Sequence, residues 1–114
     1  MLSKKVKYWL QRKTRGWSDD ETWNLDYEFI KWINTRFKKY KELATEIVDL
    51  EEYKFKYNGK TYTQLQIIDR IIEITDYMIK NDYFEITWSE DGYLNDLKNE
   101  MFDLLKAVFP AMWW

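Results

Sequence analysis

Apolar residues recur every three or four positions through most of this chain, the period of helices with one buried face. The longest such series is Trp23, Tyr27, Ile30, Ile33, Phe37, Tyr40, Ala44 and Ile47. It follows Ser18-Asp19-Asp20-Glu21, which has the form of a capping box, and it predicts one helix from Ser18 to about Leu50. Leu25, Phe29 and Trp32 make a shorter second stripe beside the first. A helix apolar over so wide an arc is expected to be central. Val6, Trp9 and Leu10 predict a short helix over Ser3–Lys13. A third helix is predicted from Thr63, where Thr63-Gln64-Leu65-Gln66 forms another capping box. Its face reads Leu65, Ile68, Ile72, Thr75 and Ile79, with Ile71 and Met78 adjoining. A fourth is predicted from Asp91 or Tyr93 to Val108 on the stripe Leu94, Leu97, Met101, Leu104, Leu105 and Val108, stopped by Pro110.

Between the second and third helices, polar and apolar residues alternate around Asn58-Gly59, from Tyr53 to Tyr62. This is a hairpin signal, although arms so short fit a structured loop equally well. Tyr83 to Trp88 also alternates and is read as a short strand. The expected fold is all-α or nearly so: a three- to four-helix bundle with a long central helix and, around Asn58-Gly59, a short β-hairpin. With 114 residues and no linker-like stretch, residues 1–114 are read as a single domain.

Composition narrows the chemistry. The chain has no Cys and no His, which removes disulfides, thiol chemistry, the usual general base and the usual zinc ligand. Its three Gly stand apart, so no phosphate-cradling loop exists. No catalytic residue, metal or cofactor is expected, and the chain is read as a non-enzymatic protein. No apolar run nears the ~18 residues of a membrane span. The start Met1-Leu2-Ser3-Lys4-Lys5 lacks a signal-peptide pattern, so a cytoplasmic address without membrane contact is expected.

Aromatic residues make up 19% of the chain, including seven Trp, more than a core of this size would take in full. Structural roles are expected for Trp9, Trp23 and Trp32, and surface positions for Trp17, Trp88, Trp113 and Trp114. The apolar tail Ala111–Trp114 must dock on its own domain or on a partner.

Charge is uneven. Residues 1–60 carry 14 basic and 10 acidic residues, a net +4, and residues 61–114 carry 4 and 10, a net −6. Such polarity can steer a charged partner or bring two copies together head to tail. Three acidic rows have the spacing of one helix face: Glu42-Glu46-Asp49, Asp69-Glu73-Asp76 and Asp96-Glu100-Asp103. The plainer reading is a solvated face. The functional reading is a negative surface that imitates nucleic-acid phosphates in the basic groove of another protein. Direct nucleic-acid binding by Lys4–Arg15 or Lys31–Lys41 is disfavoured, because the whole chain is acidic and no groove-reading motif is present.

The block Arg15-Gly16-Trp17-Ser18-Asp19-Asp20-Glu21-Thr22-Trp23-Asn24-Leu25-Asp26-Tyr27, with the basic stretch Arg36–Glu42, resembles a group of small bacteriophage-encoded proteins. Their pattern runs Arg-Gly-aromatic-Ser, two or three acids, Trp, Leu-Asp-Tyr, then a basic stretch ending Lys-Glu. The likeness covers about a quarter of the chain. It departs at Asn34-Thr35-Arg36, where the group often has a proline. It implies a phage origin and a bacterial host cell, and it brings no activity or site residue.

These features give three expectations. The first is an inhibitor of a host protein, such as a nucleic-acid-binding defence enzyme, contacted through Asp69, Glu73, Asp76, Asp96, Glu100 and Asp103 with Trp17 and Trp113. The second is a sponge for a signalling nucleotide, held by Arg15, Trp17 and Arg36. The third is a small structural or assembly protein, in which homo-oligomers form through the tail. Within the opening block, Arg15, Trp17 and Asp26 are the residues left without a structural role.

Overall fold

The chain is described from a computed structural model, which covers residues 3–81 and 92–113. The strand expected at Tyr83–Trp88, together with Trp114, lies outside the described residues. Helix α1 spans Lys4–Arg15. Ser3 caps it, its hydroxyl accepting from the amide of Val6 at 3.2 Å. Gly16 ends it at φ 88°, a left-handed conformation that glycine adopts without steric penalty. Arg12, Lys13 and Arg15 occupy the last turn, where cations suit the helix dipole.

The predicted helix from Ser18 to Leu50 is broken at both ends. Asp19–Thr22 forms one 3-10 turn, Trp23 and Asn24 leave helical pairing, and helix α2 spans Leu25–Ala44. The capping feature is real: the Ser18 amide donates to Glu21 Oε2 at 2.5 Å. It starts only a single turn, because Asn24 sits at φ −114°, ψ 68° and becomes the N-cap of α2. At the far end the Thr45 hydroxyl donates to the carbonyl of Lys41 at 2.5 Å, and Ile47 and Val48 fold back onto the carbonyl of Ala44. A run of β-branched residues there lowers helix propensity. Trp23 and Ile47, the two ends of the predicted stripe, are therefore outside the helix and exposed.

Strands β1 (Lys54–Tyr57) and β2 (Lys60–Thr63) pair antiparallel around Asn58-Gly59. Both turn residues have positive φ, 50° and 73°, which matches the twist a two-residue hairpin needs. Phe55, Tyr57 and Tyr62 pack on the core, so the hairpin is supported by the helices.

Helix α3 (Gln64–Lys80) is the centre of the fold. It packs against α2 on one side and helix α4 (Tyr93–Val108) on the other. Its cap forms as the sequence predicts, with Gln66 N–H donating to Thr63 Oγ1 at 3.1 Å and the Thr63 amide to Gln66 Oε1 at 2.9 Å. Ile67, Ile68, Ile71, Ile74, Thr75 and Met78 are buried. The predicted face is thus rotated: Ile68 and Thr75 lie within it, while Leu65, Ile72 and Ile79 are only half-buried at its edges. A helix covered from two sides buries a wider arc than a single stripe marks. On α4, Leu97, Met101, Leu104 and Val108 are buried, as their spacing predicts. The mostly helical bundle with a short hairpin is the observed architecture, although the central helix is α3 rather than the longer α2.

Buried polar groups are satisfied. Asn34 Nδ2 donates to Thr75 Oγ1 and to Asp76 Oδ1, both at 2.9 Å. Gln64 Nε2 donates to Tyr40 Oη at 3.2 Å and to the carbonyl of Ala111 at 3.0 Å. The Tyr40 hydroxyl donates in turn to the carbonyl of Trp113 at 3.0 Å. The C-terminal segment is therefore docked on its own domain through backbone carbonyls.

Candidate functional site

Leu25, Phe29 and Trp32 lie one turn apart along α2, on a line that misses α3. Instead of entering the core, they form the floor of an open groove of about 980 Å³. Trp17, held before the 3-10 turn, and Phe102 of α4 close its sides. Phe29 and Phe102 stack with ring centroids 6.1 Å apart and planes 9° from parallel, which joins the α2 and α4 walls. Leu25 is 63% exposed and Trp32 51%, an unusual placement for large apolar side chains gathered in one patch.

The rim is charged. The Arg36 guanidinium lies over the Trp32 ring, 4.8 Å from its centroid. Lys31 pairs with Glu28 at 2.9 Å and sits over the Tyr27 ring. Asp26 and Glu21 complete the opposite edge. No ion pair engages Arg36 among the described residues, so its charge remains available at the groove mouth.

The three residues expected to hold a nucleotide are brought partly together. Trp17 and Arg36 line the groove. Arg15 is near it but serves the turn: Nε donates to the carbonyl of Trp17 at 3.0 Å and Nη2 to Asp19 Oδ1 at 2.5 Å, and the guanidinium covers the Trp17 ring at 3.8 Å. Arg15, expected to lack a structural role, therefore fixes the position of Trp17. The same guanidinium, with the Gln11 amide, holds the Asp19 carboxyl below the usual carboxylate range.

The acidic rows are largely neutralised within the chain. Asp69 pairs with Lys41 at 2.7 Å and Asp76 with Lys38 at 2.8 Å, joining α3 to α2. Arg70 takes Glu100 in a two-pronged contact at 2.5 and 2.9 Å and Glu73 at 2.7 Å, joining α3 to α4. Lys38 and Asn34 hold the Asp76 carboxyl below its ordinary range. Asp96 and Asp103 are exposed on α4 and enter no ion pair among the described residues. Four of the six expected acidic residues are thus paired within the chain, and three of them, Asp69, Asp76 and Glu100, staple helices together, while Glu73 pairs with Arg70 along α3 itself. Trp113 is 58% exposed, as expected of a surface residue, but it lies on the docked tail and outside the groove lining.

The structural roles expected for Trp9, Trp23 and Trp32 are not observed. These residues are 52%, 85% and 51% exposed, while the fully buried core is aliphatic apart from Phe37. Leu25, Phe29 and Phe102 were not anticipated as site residues. The signal was present: the first two belong to the second stripe, and Phe102 falls off the α4 stripe. A smaller hollow at residues 45–51 is lined by that turn alone. Among the described residues no group of acidic side chains is placed to hold a metal ion, and no helix is long and apolar enough to cross a membrane.

Neither family models, curated proteins nor solved structures give a match to this chain.

Proposed function

We propose that this chain is a non-enzymatic binding protein that captures a protein partner in the aromatic groove between α2, the 3-10 turn and α4. The observation that carries this reading is the exposed cluster of Leu25, Phe29, Trp32, Trp17 and Phe102 with a charged rim. Exposed Trp with a neighbouring Arg is the composition of interface hot spots. The partner's contribution would be an apolar side-chain row, as on one face of an amphipathic helix. The likeness to phage proteins favours a host protein, and inhibition of a defence enzyme is the role this reading assigns.

Affinity capture from host lysate tests it with two variants run in parallel. Trp32→Gln with Leu25→Gln should lose the bound partner, at a cost of about 2 kcal/mol or more. Asp96→Asn with Asp103→Asn should retain it. The opposite pattern would return the contact to the acidic face of α4.

A nucleotide sponge is the second reading, favoured by the Arg36–Trp32 stack at the groove mouth. Calorimetry with cyclic and linear nucleotides separates the two. Heat that disappears in Arg36→Gln supports the sponge, and no heat removes it.

A further inference from the structure

Helix α1 buries none of its residues. Its contacts with the body are polar and lie on one side. Gln11 bonds the carboxylate and the amide of Asp19, each at 2.8 Å, and Arg12 bonds Ser18 Oγ at 3.0 Å. Arg15 and Lys7 approach Asp19 as well. Val6, Trp9 and Leu10 lie about half a turn away around the helix. Their exposures of 43%, 52% and 39% agree with a stripe facing away from the clasp. The molecule is correspondingly drawn out, with a radius of gyration of 16.8 Å against about 13 Å for a compact domain of 100 residues.

One chain therefore carries both an outward apolar helix face and an uncovered apolar groove. Their dimensions agree. The α2 wall of the groove runs from Leu25 to Arg36, twelve positions, and α1 has 12 residues. Each is about 18 Å long at ~1.5 Å per residue. Their charges agree too. Six of the 18 basic residues lie in α1 with no acid, and the charged residues lining the groove are Glu21, Asp26 and Glu28 against Lys31 and Arg36, a net −1. Like charge opposes packing α1 against another α1, whereas the carboxylates of Glu21, Asp26 and Glu28 on the groove rim can meet its lysines and arginines.

We propose that the groove is occupied by α1 of a second copy of this chain, in a reciprocal two-fold dimer. This rests on the groove being the contact surface proposed above, and it supplies that surface with a regulator. Val6, Trp9 and Leu10 of one copy lie along Leu25, Phe29 and Trp32 of the other. A single three-residue stripe is small against a standard interface of about 1,600 Å². Exchange of two arms into two grooves doubles the contact and closes the assembly. Another partner must then displace α1, so its capture competes with self-association.

Sedimentation equilibrium on the full chain tests this with two variants confined to exposed positions. The arm variant is Trp9→Gln with Leu10→Gln, and the groove variant is Leu25→Gln with Trp32→Gln. The wild type is expected at twice its 14.2 kDa chain mass. Each variant alone should lose most of its dimer. An equimolar mixture of the two should regain a weaker dimer, formed at higher concentration than the wild type's, because one intact arm then meets one intact groove while the second contact stays lost. Circular dichroism equal to the wild type shows that the variants are folded. A wild type monomeric at every concentration overturns the proposal, as does a dimer that survives either variant or a mixture that associates no more, up to the highest concentration, than either variant alone. A monomeric wild type whose groove variant still loses the captured partner sinks this inference and leaves the proposed function standing. A dimer restored in the mixture, with partner capture unchanged in the groove variant, supports the inference and sinks that function.

Discussion

Ile71 and Trp32 are both large apolar residues in the middle of helices, yet they lie in opposite surroundings. Ile71 is completely buried on α3, between α2 and α4, among Ile67, Ile68, Ile74 and Met78. Trp32 is half exposed on α2, on the floor of an open groove under Arg36. The aliphatic centre accounts for the stability of the bundle, and the aromatic side is left over from it. Aromatic content is therefore a poor guide to the core here. Aliphatic side chains interdigitate where two helices cover a third, while Trp9, Trp17, Trp23, Trp32 and Trp113 stay largely at the surface.

The contrast is broken most sharply by truncation. Ile71→Ala should lower unfolding stability by about 2–5 kcal/mol, because it empties a packed site. Leu25→Ala should change it by no more than about 0.5 kcal/mol. Equal losses in urea titrations would mean that the groove is part of the core. Gln64→Ala comes next, at about 1–3 kcal/mol, since it leaves the carbonyl of Ala111 without its donor and loosens the docked tail. The same titrations should show it, together with faster proteolysis at the C-terminus.

Most elements were legible in the sequence, and for local reasons. The Thr63–Gln66 cap, the Asn58-Gly59 turn and the α4 stripe each depend on residues within a few positions of one another. What was not legible depends on what lies across from a face. The second α2 stripe reads as extra core until α2 is seen to bury the face of Ile30, Ile33 and Phe37 and to reach α3 through Asn34, Lys38 and Lys41, leaving Leu25, Phe29 and Trp32 exposed. The break at Asn24 was hidden because the capping box at Ser18 and the stripe from Trp23 onward fit one continuous helix, and the Asn24 side chain makes no capping bond that would mark a second start. The acidic rows read as open surface because their partners Lys38, Lys41 and Arg70 are supplied by packing or shared between helices. Phe102 becomes a groove wall only through its stack with Phe29, 73 positions earlier.

Smaller effects sharpen the electrostatic side of the comparison. The folded-state pKa of Asp76 is depressed, chiefly by its bond to Lys38. Its contribution is complete above the ordinary carboxylate value, about 3.9, and is lost as pH falls through the lower folded value. Asp76→Asn should therefore flatten part of the acid limb, read as the urea midpoint between about pH 2 and 6. An unchanged limb would assign the acid sensitivity to other carboxylates. Among the ion pairs, Lys41→Met removes one whose side chains are 43% and 47% exposed. It should shift stability by under about 1 kcal/mol, and less at high salt.

The central claim is that the aromatic side of this molecule serves binding while the aliphatic centre serves folding. The most direct measurement follows urea unfolding and partner capture in one protein, Leu25→Gln with Trp32→Gln. The expected result is an unfolding midpoint equal to the wild type with capture lost. A lowered midpoint with capture intact would contradict the account.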